Sequence, residues 1–236
     1  MVHNLWVDGK SLKDFGIYVS GEKSFGGPEV GYESISVPGR NGDLLISQGR
    51  LKNIAVEYPA FIRRNFAENA QAARTFLLAA GAKYRRLEDD YHPDSYRLGV
   101  FSGPIDFDMR FLNLSGETNL AFNCKPQRFL KSGEYQLEVK TGQKLLNQWM
   151  PALPLIQITG TGEGELVVGG STIDITGMTG AITIDSDAQN AYDGTTNMNN
   201  NITVSGDFPV LSTGETAVSF SGGITAVKIT PRWWTL

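Results

Sequence analysis

The chain has 236 residues, 41% of them hydrophobic, and carries 21 Lys/Arg against 25 Asp/Glu for a formal net charge of −4. That length and apolar content suffice for two β domains with packed cores, while the acidic balance excludes the basic surplus on which phosphate-backbone binding depends. A single cysteine, Cys124, excludes an intrachain disulfide, and two histidines leave little material for metal or hydrolase chemistry.

The charge is unevenly spread: residues 1–133 are net +2 and residues 134–236 net −6, which places a domain boundary near 133 and gives domains of 1–132 and 133–236. The opening residues lack a basic segment followed by an apolar one, and no apolar run approaches the roughly 18 residues of a membrane-spanning helix. The chain therefore reads as soluble, with no membrane partner.

Along the N-terminal part, Leu5–Val7, Gly16–Val19 and Ser34–Val37 are short β-rich runs, each closed by a turn dipeptide, and they predict a meander of antiparallel strands. The third ends in Val37-Pro38-Gly39-Arg40, where proline presets φ and glycine supplies φ > 0, as a type II turn requires. Asn41-Gly42 behind it suits a type I′ turn. Phe66, Ala70, Ala73, Leu77 and Ala80 then form the stripe of one amphipathic helix over 66–80, with Asn65 as its N-cap, Glu68 three residues on and Gly81 past its end.

Strands resume at Tyr84–Leu87, Tyr96–Phe101, Ile105–Leu114 and Glu117–Cys124, and the alternation from Ile105 to Phe111 predicts a half-buried strand. Beyond Lys125-Pro126 helical periodicity stops and Gly, Thr, Asn and Ile dominate. Ser171–Thr176 and Ala181–Asp185 read as short strands separated by turns at Gly177 and Gly180. Asn197–Asn201 reads as a loop tip. The fold class is mainly β: an antiparallel domain with one helix, then an all-β sandwich.

Candidate chemical motifs dissolve on inspection. Cys124 has no nearby histidine in sequence and reads as a small buried hydrophobe, made in a reducing compartment. Asp185–Asp193 begins like a calcium loop, but its sixth position is Asn190 where glycine is needed and its twelfth is Thr196 in place of Glu, so a polar turn is expected. Gly160–Glu165 lacks the Gly-Lys-Ser/Thr of a phosphate cradle and reads as a flexible hairpin, with Glu163 and Glu165 solvated and equivalent. Arg85-Arg86 is followed by Glu88, Asp89 and Asp90, which argues for local charge compensation. Trp149, Trp233 and Trp234 are the residues that could form a sugar-stacking platform, although adjacent Trp233 and Trp234 face opposite sides of a strand, one toward the core and one toward a neighbouring loop. No enzyme activity, cofactor or metal is expected.

Phe15-Gly16-Ile17, Val37-Pro38-Gly39-Arg40-Asn41-Gly42-Asp43-Leu44, the helix and Phe122–Pro126 together resemble the tail-component domain of the distal tail proteins of long, non-contractile-tailed bacteriophages. Asn147 with Pro154–Gly160, Ile184–Ser186, Gly206–Leu211 and Pro231–Trp234 resemble that family's galectin-like sandwich. The resemblance implies a structural virion protein at the distal end of the tail, assembled in the host cytoplasm. Its first domain would close into a homohexameric ring with a channel for DNA in transit. The ring would join the tail-tube protein to the tail-tip spike and receptor-binding proteins. Within it, Val37, Pro38, Gly39 and Arg40 are the expected contact between protomers. The alternative is a carbohydrate-binding module carried by Trp149 with Trp233 or Trp234.

Overall fold

The computed structural model describes residues 2–21, 23, 26–101, 103–106, 108–110 and 115–236. They form two compact units, residues 1–128 with 236, and residues 129–235. The fold is mainly β, and the strand pairings whose register is described are antiparallel.

In the first unit the strands are β1 (Leu5–Val7), β2 (Lys10–Ser11), β3 (Ile17–Val19), β4 (Val30–Ile35), β5 (Leu44–Leu51), β6 (Ile54–Ile62), β7 (Arg85–Asp89), β8 (Ser95–Phe101), β9 (Asp108–Arg110) and β10 (Ser115–Leu130). The N-terminal strands are not a meander. Beyond the small β1–β2 pair, β1 pairs β7 and β3 pairs β6, so the sheet runs β2-β1-β7-β8-β10-β6-β3. Turn dipeptides punctuate the chain as expected, but they do not select the neighbour, because apolar faces find partners wherever burial is deepest. The sheet curls until His3 and Val19 exchange both backbone hydrogen bonds, at 3.0 and 3.2 Å. Leu5, Val7, Ile17, Val19, Ile62 and Leu120 point inside and are fully buried, each contributing roughly 1.5–3 kcal/mol.

The helix α1 (Phe66–Leu78) lays Ala70, Ala73 and Leu77 on this core, which is the expected face, and Gly81 takes φ +57 beyond its end. The expected Asn65 cap is absent. Asn65 sits at φ 49, ψ 46 and its side chain caps nothing. In that left-handed conformation its carbonyl starts the helix by accepting from Asn69 N–H, while Asn69 Nδ2 ties back to the Arg64 carbonyl at 2.9 Å. Alanines keep the helix close to the sheet, and Gly16 meets it where any Cβ would strike the Asn69 side chain. The alternating segment from Ile105 to Phe111 lies partly outside the described residues; Ile105 is buried.

The second unit holds β11 (Leu137–Val139), β12 (Gln143–Asn147), β13 (Leu155–Val168), β14 (Ser171–Asp185), β15 (Asn190–Asp193), β16 (Thr196–Asn197), β17 (Ile202–Ser205) and β18 (Gly214–Thr230). Two expectations need correction. Gly160–Glu165 is not a hairpin but the middle of β13, where register shifts at Gly160, Gly162 and Gly164 crease the strand between β14 and β18. Ser171–Thr176 and Ala181–Asp185 are likewise the two arms of one long strand. A Cβ at Gly160 would collide with the Gly223 backbone, and one at Gly223 with the Thr161 carbonyl. These glycines therefore let three strands bend together without breaking their ladders. Ile156 and Ile158 of one arm and Leu166 and Val168 of the other then bury in one core.

Gly99 on β8 measures how tightly the first core is filled, since a Cβ there would lie 2.6 Å from Leu87 Cδ1 and 2.7 Å from Cys124 Sγ. Gly99→Ala should cost about 1–3 kcal/mol by overpacking, read as a lower midpoint in urea. Gly170→Ala, with nothing within 4 Å of its Cβ, should stay within about 0.5 kcal/mol of the parent.

Candidate functional site

Between β3 and β6 the chain leaves the curled sheet and forms a ribbon of its own: among the described residues, β4 and β5 pair only with each other. The register sets Tyr32 opposite Ser47, Ser34 opposite Leu45 and Ile35 opposite Leu44. Alternation then puts Tyr32 and Leu45 on one face and Ile35, Leu44 and Ile46 on the other. Neither face is covered. Val30 is 57% exposed, Tyr32 55%, Leu45 64% and Ile46 45%. A two-stranded ribbon is marginally stable in water by itself, and a cluster of exposed large apolar side chains marks a binding surface.

At its tip stands the expected turn. Arg40 N–H donates to the Val37 carbonyl at 3.1 Å and Gly39 takes φ +78, the pattern of a type II turn with Pro38 at its second position. The type I′ expectation for Asn41-Gly42 fails, because only Gly42 (φ +81) has positive φ. Ser34 Oγ donates to Asp43 at 2.5 Å and closes the loop. Val37, Pro38, Gly39 and Arg40 are all exposed. The consecutive Leu44-Leu45-Ile46 was the missed signal, for three apolar residues in a row on a strand make both faces apolar.

The three tryptophans occupy one end of the second unit but form no platform. Asn147, buried, organises the end: its Nδ2 donates to the carbonyls of Met150 (3.0 Å) and Leu211 (2.8 Å), and its Oδ1 accepts from Trp149 N–H (2.9 Å). Trp233 packs on the core, and Trp234 spends its indole N–H on the Pro151 carbonyl at 2.9 Å. Trp149 alone stands out, 42% exposed. The calcium-like segment is a polar turn. Asp185 Oδ1 accepts from the N–H groups of Asp187 and Ala188, and its carboxylate takes both arms of the Arg232 guanidinium at 2.7 and 2.9 Å. Those bonds from Arg232 hold the Asp185 carboxyl below the usual range, against the effect of burial.

Both histidines are engaged by neighbours, and His92 Nδ1 lies 3.5 Å from Asp89 Oδ1. His3 stacks on Tyr91 with ring centroids 4.1 Å apart, and His92 N–H binds Asp89. No group of three or more His, Cys, Asp or Glu is placed to hold a metal among the described residues. Cys124 is buried, and burial pushes its thiol up to about 11. The Arg85-Arg86 pair is compensated, partly from afar: Arg86 binds Glu88 at 2.6 Å, whereas Arg85 binds Asp8 at 2.6 Å. No helix of the described residues is long and apolar enough to cross a membrane.

No protein-family model matches the sequence, and no curated protein matches it. Solved structures do. Over 100% of both chains the protein is similar to the Dit protein (gp 19.1) of SPP1, described as a paradigm of the hub adsorption apparatus in phages infecting Gram-positive hosts, with a TM-score of 0.75 at 14% identity. It is also similar to a chain of the phage P2 baseplate in its activated conformation with calcium, with a TM-score of 0.56 at 10% identity over 97% of this chain and 98% of that one. The strontium form of that baseplate gives a TM-score of 0.53 at 10% identity over 97% of each chain. The chain thus has the fold of phage hub and baseplate components along its whole length.

Two outcomes follow from the buried groups. Iodoacetamide at pH 8 should leave Cys124 unmodified in the native chain and alkylate it fully in urea, as intact-mass measurement would read. Asp185 is a depressed carboxyl, so its stabilisation is present above its unfolded value of 3.8 and is lost as pH falls through the lower folded value. Asp185→Asn should cost about 1.5–3 kcal/mol at pH 7, and its difference from the parent should shrink below pH 3.8 in thermal melts.

Proposed function

We propose that this chain is the distal tail adaptor of a long, non-contractile phage tail, a non-catalytic structural component of the virion. Copies of it close into a homohexameric ring at the tail tip, assembled in the host cytoplasm. The first domain, residues 1–132, forms the ring and continues the tail-tube channel. The second, residues 133–236, presents docking surfaces to the tail-tip spike and receptor-binding proteins. DNA is only in transit through the channel.

The observation that carries this reading is the ribbon of β4 and β5, apolar on both faces and unpaired along both edges, in a chain whose fold is that of a phage hub protein end to end. A ring needs a heterologous interface that closes by rotation. A ribbon laid on the next copy supplies one, burying its apolar side chains and offering its edges to a neighbouring strand. The type II turn at Val37–Arg40 fixes the direction in which the two strands leave the tip, and Arg40 can give its donor fork to a carbonyl or carboxylate of that copy. The glycan reading loses its platform, since Trp233 and Trp234 are engaged within their own unit.

Native mass spectrometry of the full chain tests the reading. The parent should be hexameric at micromolar concentration, and Leu45→Asp with Ile46→Asp should be monomeric with an unchanged circular-dichroism spectrum. A monomeric parent, or a hexamer that survives the double substitution, counts against it. An unchanged hexamer in Arg40→Ala removes Arg40 from the contact and leaves the ribbon.

A further inference from the structure

One pocket of the first unit is unused by the assembly surface. A cavity of about 30 Å³ opens beside β7, β8 and the end of β10, lined among others by Lys23, Asp89, His92, Ser95, Arg97 and Arg128. Among the described residues its charges do not balance. Of these, Asp89 is the one carboxylate lining it, and its oxygens are taken: Oδ2 accepts from Lys23 Nζ at 2.8 Å and Tyr58 OH at 2.6 Å, and Oδ1 from the N–H groups of Tyr91 and His92 at 3.1 and 3.0 Å.

Arg97 and Arg128 are left over. Arg97 sits on the inward face of β8 between Ser95 and Gly99, only 8% exposed, and donates once, from a guanidinium nitrogen to the Pro126 carbonyl at 3.2 Å. A guanidinium carries five N–H donors. Arg128, on the inward parity of β10 with Cys124 and Pro126, is half-buried, and no carboxylate of the described residues pairs with either arginine. Burying an unpaired charge is costly, and cations placed so far inside a sheet are normally paired.

We infer that Arg97 and Arg128 form a binding site for one small oxyanion, a carboxylate or phosphate group, at this pocket. Two guanidiniums can grip such a group through parallel N–H···O bonds, with the Ser95 hydroxyl at the same wall. The size fits. The cavity is about twice what a single water needs, which leaves room for one small group. The electrostatics agree: burial, then repulsion from Arg128, lowers the affinity of both Arg97 and His92 for their protons, and an anion between them relieves that strain.

Isothermal titration calorimetry of the full chain with sodium phosphate, at constant ionic strength in chloride buffer, tests the site. The expected result is one saturable site per chain, weakened by roughly tenfold or more in Arg128→Gln and unchanged in a substitution of exposed Arg63, Arg63→Gln. Because Arg97→Gln perturbs the core, half-buried Arg128 carries the mutational test. NMR titration of the histidines adds an independent reading: phosphate should raise the His92 midpoint in the parent. Absent saturable binding, binding undiminished in Arg128→Gln, or binding with no movement of His92 would each overturn the site. Repeating the titration at concentrations where the chain self-associates separates the sources of the anion. Binding unchanged on association assigns a free ion, and binding seen only at dilution assigns an acidic side chain from a second copy. The dilute titration stands whether or not a ring forms.

Discussion

The β4–β5 ribbon has two faces, two edges and no third strand among the described residues, and the chain nonetheless places Tyr32, Ile35, Leu44, Leu45 and Ile46 on it. A sheet stabilises itself by covering at least one face, and a free ribbon cannot do so. The rest of the first unit behaves oppositely: its sheet curls until its ends meet at His3 and Val19, and its one described helix seals the core through an alanine face. So complete a closure elsewhere makes the open ribbon the feature on which the proposed assembly rests. An interface built on it gains from apolar burial and from strand pairing at once.

The proposed ring adaptor would also require rigidity, because an angular error at one contact recurs at every other. The second unit meets it by creasing three long strands at shared glycines, so that β13, β14 and β18 each serve both arms of the fold. Asn147 then locks one end with three hydrogen bonds, and the Asp185–Arg232 pair ties the turn after β14 to the C-terminal segment. Stiffness in this unit comes from continuous ladders and bidentate contacts, with no disulfide available from a single cysteine.

Local signals in the sequence carried far. The helix stripe, the type II turn at Pro38-Gly39 and the buried role of Cys124 follow from neighbours along the chain, where period and turn chemistry act. What misled was non-local. Glycines at 160–164, 177 and 180 look like turns in isolation and become creases of long strands only once their partners are in place, as where Gly160 faces Gly180 and Gly164 faces Gly222. Asn65 has the composition of a cap but takes a left-handed backbone that turns its side chain away from that role. Of the candidate site, the turn at Val37–Arg40 was legible and the exposure of the strands behind it was not, since exposure depends on which strands decline to pair. The Arg97–Arg128 pocket was invisible for the same reason: it joins residues 31 positions apart whose only common signal is inward parity on neighbouring strands.

The central claim is that copies of this chain close on one another through the ribbon. Negative-stain electron microscopy of the purified full chain at micromolar concentration addresses it most directly. Class averages showing closed rings with sixfold rotational symmetry and a central opening are the predicted result. Single compact particles, or open filaments in place of rings, would contradict it.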